Sequence, residues 1–250
     1  MTGTLREIWR HPIKSHGREA LTTITLEPGR TLPWDRTWAV AHEMSKADGS
    51  TWVPCANFSR VAKAPALMAI EARLDPEARQ LVLTHPDLTD LAFWPDTHPE
   101  ALIDWVRPLM PENRAAPKRL IKVPGRGLTD SDFPSVTLCN YSSHRAVEQK
   151  LGQDMSIHRW RGNLWFDGLG PWEEFEWIGR EVQIGKTRLV VRERTDRCMA
   201  TAANPLTGLR DADTLGALRA GWDHEDFSIR AEVTQGGEIA LGDTITLLRR

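Results

Sequence analysis

The chain has too few cysteines for a disulfide framework. Three among 250 residues, an odd number, point to a reducing compartment and a cytoplasmic setting. No run approaches the roughly 18 apolar residues of a membrane span, and Met1–Arg10 lacks the pattern of a signal peptide. The net charge of −2 comes without a long block of either sign, which argues against nucleic acid or an anionic membrane as a partner. The eleven tryptophans are scattered without interleaved basic clusters, so they read as core and pocket walls rather than base-stacking platforms. The eight histidines show no HExxH or other metal-ligand spacing, and no CxxC is present. No Gly-rich dinucleotide fingerprint follows a strand, since "GREVQIGKTR" has the wrong spacing and no helix after it. An iron–sulfur cysteine set is missing as well.

What is present is a β-rich pattern in a chain long enough for one large domain or two small ones. Apolar residues at 40% and charged ones at 26% give the balance of a soluble globular protein. "LTTITLEPG" and "RTWAVAH" alternate as strands do, and "LMAIEARLDPEARQLVLTHP" reads as a hairpin around Asp75-Pro76. Near the end, Gly185-Lys186, Gly236-Gly237 and Gly242-Asp243 predict tight turns between antiparallel neighbours, a pattern that suggests a barrel. Helices are few. "HPEALIDWVRPLM" puts Leu102, Val106 and Leu109 on one face; "SSHRAVEQKLG" offers Ser142 or Ser143 as N-cap and Gly152 as stop. "DADTLGALRAG" predicts a third helix ending at Gly221. Residues 110–127, rich in Pro, Gly and Arg, read as a linker. The expected division is a β-rich part over 1–115 and a barrel domain over 116–250.

The cysteines differ in setting. Cys139, in the strand-like "SVTLCNY", and Cys55, in "VPCANF", read as packed apolar residues. Cys198, in "RTDRCMATAANPLTG" (194–208), follows a strand and stands beside Arg194 and Arg197, whose charge favours a thiolate. A zinc site, a Cys–His nucleophile and a soft ligand for a redox metal on a bulky cofactor are all open to such a thiol. Spacing does not choose among them.

"RCMATAANPLTG" resembles the molybdenum-binding signature of MOSC-domain proteins (the molybdenum cofactor sulfurase C-terminal domain family). Other segments resemble the family in order: "LREIWRHPIKSHGREAL", "LPWDRTWAV", "LTDSDFPSVTLCNYSSHRAVEQKLG", "RWRGNLWFDGLGPWEEFEWIGREVQIG" and "GEIALGDTITLL". The subgroup resembled contains the amidoxime-reducing component and its bacterial relatives. The resemblance implies a mainly β (α+β) fold, with an N-terminal β-barrel-like domain before the MOSC barrel. It implies a molybdenum–molybdopterin cofactor held between them, with Cys198 as metal ligand and catalytic residue. Lys14, Ser15, Arg36, Ser143, Arg161, Asn163 and Arg197 match its cofactor-binding positions.

Charge-assisted bonds from Arg and Lys suit a pterin phosphate, a helix-start serine suits an anion, and Asn suits a heterocycle's edge. Each residue also has a plain local alternative: Arg36 and Arg161 as ion pairs, Ser143 as an N-cap, Lys14 as a strand-edge charge. Two departures stand out. Gly162 replaces the family's Pro, predicting a looser loop, and Asn204 replaces an Asp, removing a negative charge near the metal. The resemblance implies an oxidoreductase that reduces N-hydroxylated or N-oxygenated compounds with electrons from a separate protein. The rival expectation is a non-enzymatic cofactor or sulfur carrier that uses Cys198.

Overall fold

Eighteen regular elements, fifteen of them strands, make the fold mainly β; the computed structural model describes residues 2–248. The chain opens with β1 (Thr2–Arg10), β2 (Glu19–Leu21), β3 (Thr23–Leu26) and β4 (Ala39–His42). A meander of β5 (Glu71–Asp75), β6 (Gln80–His85) and β7 (Leu88–Phe93) leads to α1 (Glu100–Val106) and β8 (Pro117–Ile121). Then come β9 (Val136–Asn140), α2 (Tyr141–Leu151), β10 (Leu164–Asp167), β11 (Glu181–Ile184) and β12 (Thr187–Asp196). The last elements are α3 (Thr214–Trp222), β13 (Asp226–Gln235), β14 (Gly237–Ala240) and β15 (Thr244–Leu247).

Seven strands close a barrel in the order β10-β9-β13-β12-β11-β15-β1, with β1 returning to β10. Only β9 and β10 run parallel in it, and the crossover that parallel strands require is α2. Side chains of Leu5, Leu138, Val182, Leu189 and Ile229 fill the interior. Within β1 the register slips between Leu5 and Glu7; this bulge moves the inward positions from Leu5 to Ile8 and keeps both in the core. Strand pairing therefore crosses the 115/116 division, since β1 belongs to the sheet of the C-terminal half. The remaining N-terminal elements pack Trp38, Val40, Leu67, Leu81, Phe93 and Leu102 into a second core.

The structure corrects four local expectations. Residues 110–127 are not a free linker, because β8 lies inside them and pairs with β4. The N-cap of α2 is Asn140, whose side chain accepts from Ser142 N at 3.0 Å; Gly152 ends the helix at φ +71° as expected. Helix α3 passes Gly221 and stops at Asp223, φ +59°. Finally, β13, β14 and β15 are not successive neighbours: β14 leaves the barrel to pair with β3, while β15 pairs with β11 and β1. Only Gly236 separates β13 from β14, one residue short of the shortest common hairpin loop. The turn at Gly242-Asp243 is taken by β1 instead, through Gly242 N to Leu5 O and Leu5 N to Asp243 O, both 2.8 Å.

Candidate functional site

Six of the eight residues nominated from the sequence line one cleft of about 300 Å³: Lys14, Ser15, Arg36, Arg161, Arg197 and Cys198. They come from both halves of the chain. The cleft wall carries seven Lys or Arg side chains against two carboxylates, Asp130 and Asp196.

The backbone here is held in an uncommon shape. Ser15, Arg36 and Arg161 all adopt left-handed conformations, φ +65°, +51° and +49°. Each costs a non-glycine residue about 1–3 kcal/mol, which surrounding bonds must offset. At Arg36 those bonds are its N to His11 O (2.6 Å) and Leu128 N to its O (2.7 Å). The guanidinium is fixed too: Nη1 donates to Asp35 Oδ2 and Nη2 to the Arg161 carbonyl at 2.8 Å. Asp35 is fully buried and also accepts the His11 amide at 2.8 Å. Burial opposes the Asp35 charge, but Arg36 and the His11 bonds outweigh it and hold the carboxyl below its ordinary range.

Lys14 is buried at 4% exposure and donates to Leu128 O (2.7 Å) and Asp130 Oδ1 (2.6 Å). Burial would raise the Asp130 pKa; the Lys14 charge and hydrogen bond, with Arg36 and Arg230, instead hold it down to about 2. Arg161 is pushed down to about 9, first by burial and then by Arg36 and Arg18, so it stays charged at neutral pH. One of its donors reaches Gly17 O at 3.3 Å, whereas Nη1 is buried and has no partner. An unsatisfied buried guanidinium nitrogen on a residue that lines a cationic cleft suits an anion.

Arg197 also lines the cleft, but its donors are committed to the carbonyls of Trp160 (2.8 Å) and Phe227 (2.7 and 3.0 Å) and to Ser228. Arg194 lies over the Phe175 ring, 4.2 Å from its centroid. Cys198 is exposed and caps a short 3-10 turn, Met199–Ala202, with its carbonyl bound by Thr201. The loop after it is docked on the N-terminal half: Gly208, φ +69°, approaches so closely that a Cβ would sit 2.6 Å from the Ala66 Cα.

Ser143 and Asn163 do not join the cleft. Ser143 Oγ donates to Glu174 and accepts from Trp172 N, and Asn163 bonds Thr137 N and Trp9 O, so protein groups use both residues. Asn204 is a turn residue: its amide donates to Asp211 at 2.6 Å, a bond that an ionised Asp would not make. The loop at Gly162 is packed, not loose. A Cβ there would lie 2.1 Å from the Cys139 Sγ, and burial pushes that thiol up to about 12. Gly162→Ala is expected to cost about 1–3 kcal/mol by overpacking. Cys139→Ala should recover most of it in the double variant, and thermal unfolding of the four proteins checks the coupling.

Sequence reasoning missed Cys55 and Arg60, which line the same cleft; Arg60 Nη1 donates to Cys55 Sγ at 3.1 Å. No local pattern marks them. Asp35 was in view, since it directly precedes Arg36. Among the described residues no group of three or more His, Cys, Asp or Glu could hold a metal ion, and no helix is long and apolar enough to cross a membrane.

Comparisons with known proteins agree with the ordered motifs. No curated protein matches the chain. Among solved structures, the YuaD protein from Bacillus subtilis aligns at 10% identity over 98% of this chain and 94% of its own, with a TM-score of 0.48. YiiM from Geobacillus stearothermophilus aligns at 19% identity over 46% of this chain and 54% of its own (TM-score 0.35), and YiiM from Escherichia coli at 11% over the same shares (TM-score 0.32). This chain thus spans about half the length of the YiiM structures, and the assignment rests on none of these alignments. It rests on family models: the MOSC N-terminal beta barrel domain matches residues 2–101 and the MOSC domain matches residues 128–246. The chain belongs to the MOSC-domain family.

Proposed function

We propose that the chain holds a molybdenum–molybdopterin cofactor in this cleft and reduces N-hydroxylated or N-oxygenated compounds with electrons from a separate protein. MOSC domains are associated with molybdenum cofactor binding. The supporting observation is the company Cys198 keeps: an exposed thiol in a strongly cationic cleft, with Arg161 Nη1 buried and unpartnered. These residues fit the group. Arg161 and Arg36 would meet its phosphate, and the Cys198 thiolate is a soft ligand suited to its metal. When bound, the cofactor supplies the two-electron chemistry.

The chain's own contribution is binding and positioning. Asp35 and the Arg161 carbonyl aim the Arg36 guanidinium, so little side-chain freedom is lost when an anion arrives. Lys14, buried, and Asp130, half-exposed, close one wall as an ion pair. Reduction of a hydroxylamine breaks its N–O bond, consumes two electrons and two protons, and leaves an amine and water.

The test uses protein from a host that makes the cofactor. Molybdenum content and the fluorescence of oxidised pterin should rise together. The loaded protein should reduce an amidoxime or hydroxylamine with dithionite-reduced viologen, and should do nothing with NADH alone. Turnover on NADH alone contradicts the separate donor. The exposure of Cys198 favours one second reading, a carrier. That reading gains if loaded protein turns nothing over and instead releases cofactor or sulfur to an acceptor protein.

A further inference from the structure

A second cavity, about 200 Å³, is lined by other residues of the segment 55–63, and Arg60 lines both cavities. Its wall carries His42, Ser59, Arg60, Lys63, Met110 and Arg114, with no carboxylate. Glu43, next to His42 in sequence, turns its carboxylate to the Ala116 amide at 3.2 Å. Among the described residues Arg60, Lys63 and Arg114 make no ion pair, leaving three cations around one small space.

Two polar atoms in the wall are also unsatisfied. Ser59 is 4% exposed and its Oγ has no hydrogen-bond partner. His42 Nε2 donates to the Ala56 carbonyl at 2.8 Å, which leaves the ring's Nδ1 as a buried, unpartnered acceptor. A buried hydroxyl without a partner is costly in an apolar setting, and an accepting oxygen on a ligand would remove that cost, whereas the His42 acceptor gains nothing from an oxyanion. Three cations and a hydroxyl donor select an oxyanion. Phe58 and Met110 in the same wall suit a short carbon chain attached to it.

We infer that this cavity is a subsite for the carboxylate or phosphate of an anionic substrate whose N–O group lies past Arg60 in the Cys198 cleft. For the reacting end this rests on the reductase reading; the anion end stands on the cavity alone. Lys63 and Arg114 are exposed, so Lys63→Ala/Arg114→Ala removes two charges without opening the core.

In loaded protein, kcat/KM for an N-hydroxy compound bearing a carboxylate or phosphate is compared with that for its uncharged analogue. The ratio should fall at least about tenfold in the double variant, mainly through KM, as expected for lost charge-assisted bonds. An unchanged ratio overturns the inference and leaves the reductase reading standing. If neither compound is reduced, the reductase reading fails and binding decides the subsite. Inorganic phosphate and acetate are titrated separately against the thermal midpoint. A saturable rise with either one in the wild type, absent from the double variant, supports the subsite and identifies the preferred oxyanion. No saturable rise with either, or an equal rise in both proteins, overturns it.

Discussion

Cys198→Ser is expected to abolish molybdenum retention and viologen-driven turnover while leaving the folded protein as stable as before. The side chain is exposed, and among the described residues nothing hydrogen-bonds its sulfur, so the fold should change by no more than about 0.5 kcal/mol. The other two thiols behave differently for local reasons. Cys55→Ser should keep metal and activity, because a hydroxyl still accepts the bond from Arg60. Cys139→Ser should keep the metal but melt earlier, since burying a hydroxyl at a fully enclosed position costs about 1–3 kcal/mol. Metal analysis and thermal unfolding of the three variants separate the cases. Equal metal loss in all three would remove Cys198 from its role.

Mild acid should weaken the fold well before the carboxylates titrate. Burial, and then the Arg161 charge, lower His11 to about 3, and burial lowers His16 to about 4. Both are neutral in the folded protein, whereas in the unfolded chain they bind protons near pH 6.5. As pH falls from about 6.5 towards 4, the unfolded state takes up two protons that the folded state refuses, so stability drops. The slope approaches about 2.7 kcal/mol per pH unit for two such groups. His158, also lowered to about 4 by burial and by Arg18, steepens it. The carboxylates act in the same direction but lower on the pH scale: Asp35 and Asp130 are held below their ordinary value, so their stabilisation persists above about pH 4 and fades only beneath it. Denaturant melts between pH 7 and 4.5 measure the slope. In His16→Asn, whose amide keeps the donor to Lys14 O, the slope should fall by about one proton. A flat profile in the wild type would contradict the neutral buried histidines.

What could be read in the sequence was local. The Gly185-Lys186 and Asp75-Pro76 turns, the Leu102–Val106–Leu109 stripe and the Gly152 stop all follow from neighbours within a few residues. Lys14, Arg36 and Cys198 were legible because their motifs occur in family order, although nothing in the spacing says that they meet. The departure of β14 to β3 was not legible, since alternation shows that a segment is a strand and not which partner it takes. Nor was β8, whose Pro117, Lys118 and Arg119 look like linker composition yet sit in a two-stranded pair, where proline at a strand start is tolerated. Ser143 and Asn163 illustrate the reverse problem. Their chemistry suits a ligand, but their burial leaves room only for protein partners.

Closing the barrel through β1 also sets a timetable. During synthesis β1 emerges well before its barrel partners β10 and β15, which begin at Leu164 and Thr244. At 5–20 residues per second the wait for β15 lasts between about 12 and 50 seconds. Over that interval the core around Trp38, Leu81 and Phe93 can assemble from residues already made, while β1 has only the short β2 beside its C-terminal end and Leu5 and Ile8 lack the barrel core that covers them. Contacts spanning nearly the whole chain also make closure slow. The newly made protein is therefore open to aggregation and to chaperone binding along β1, and the cleft, which needs Lys14 and Cys198 together, is among the last parts to form.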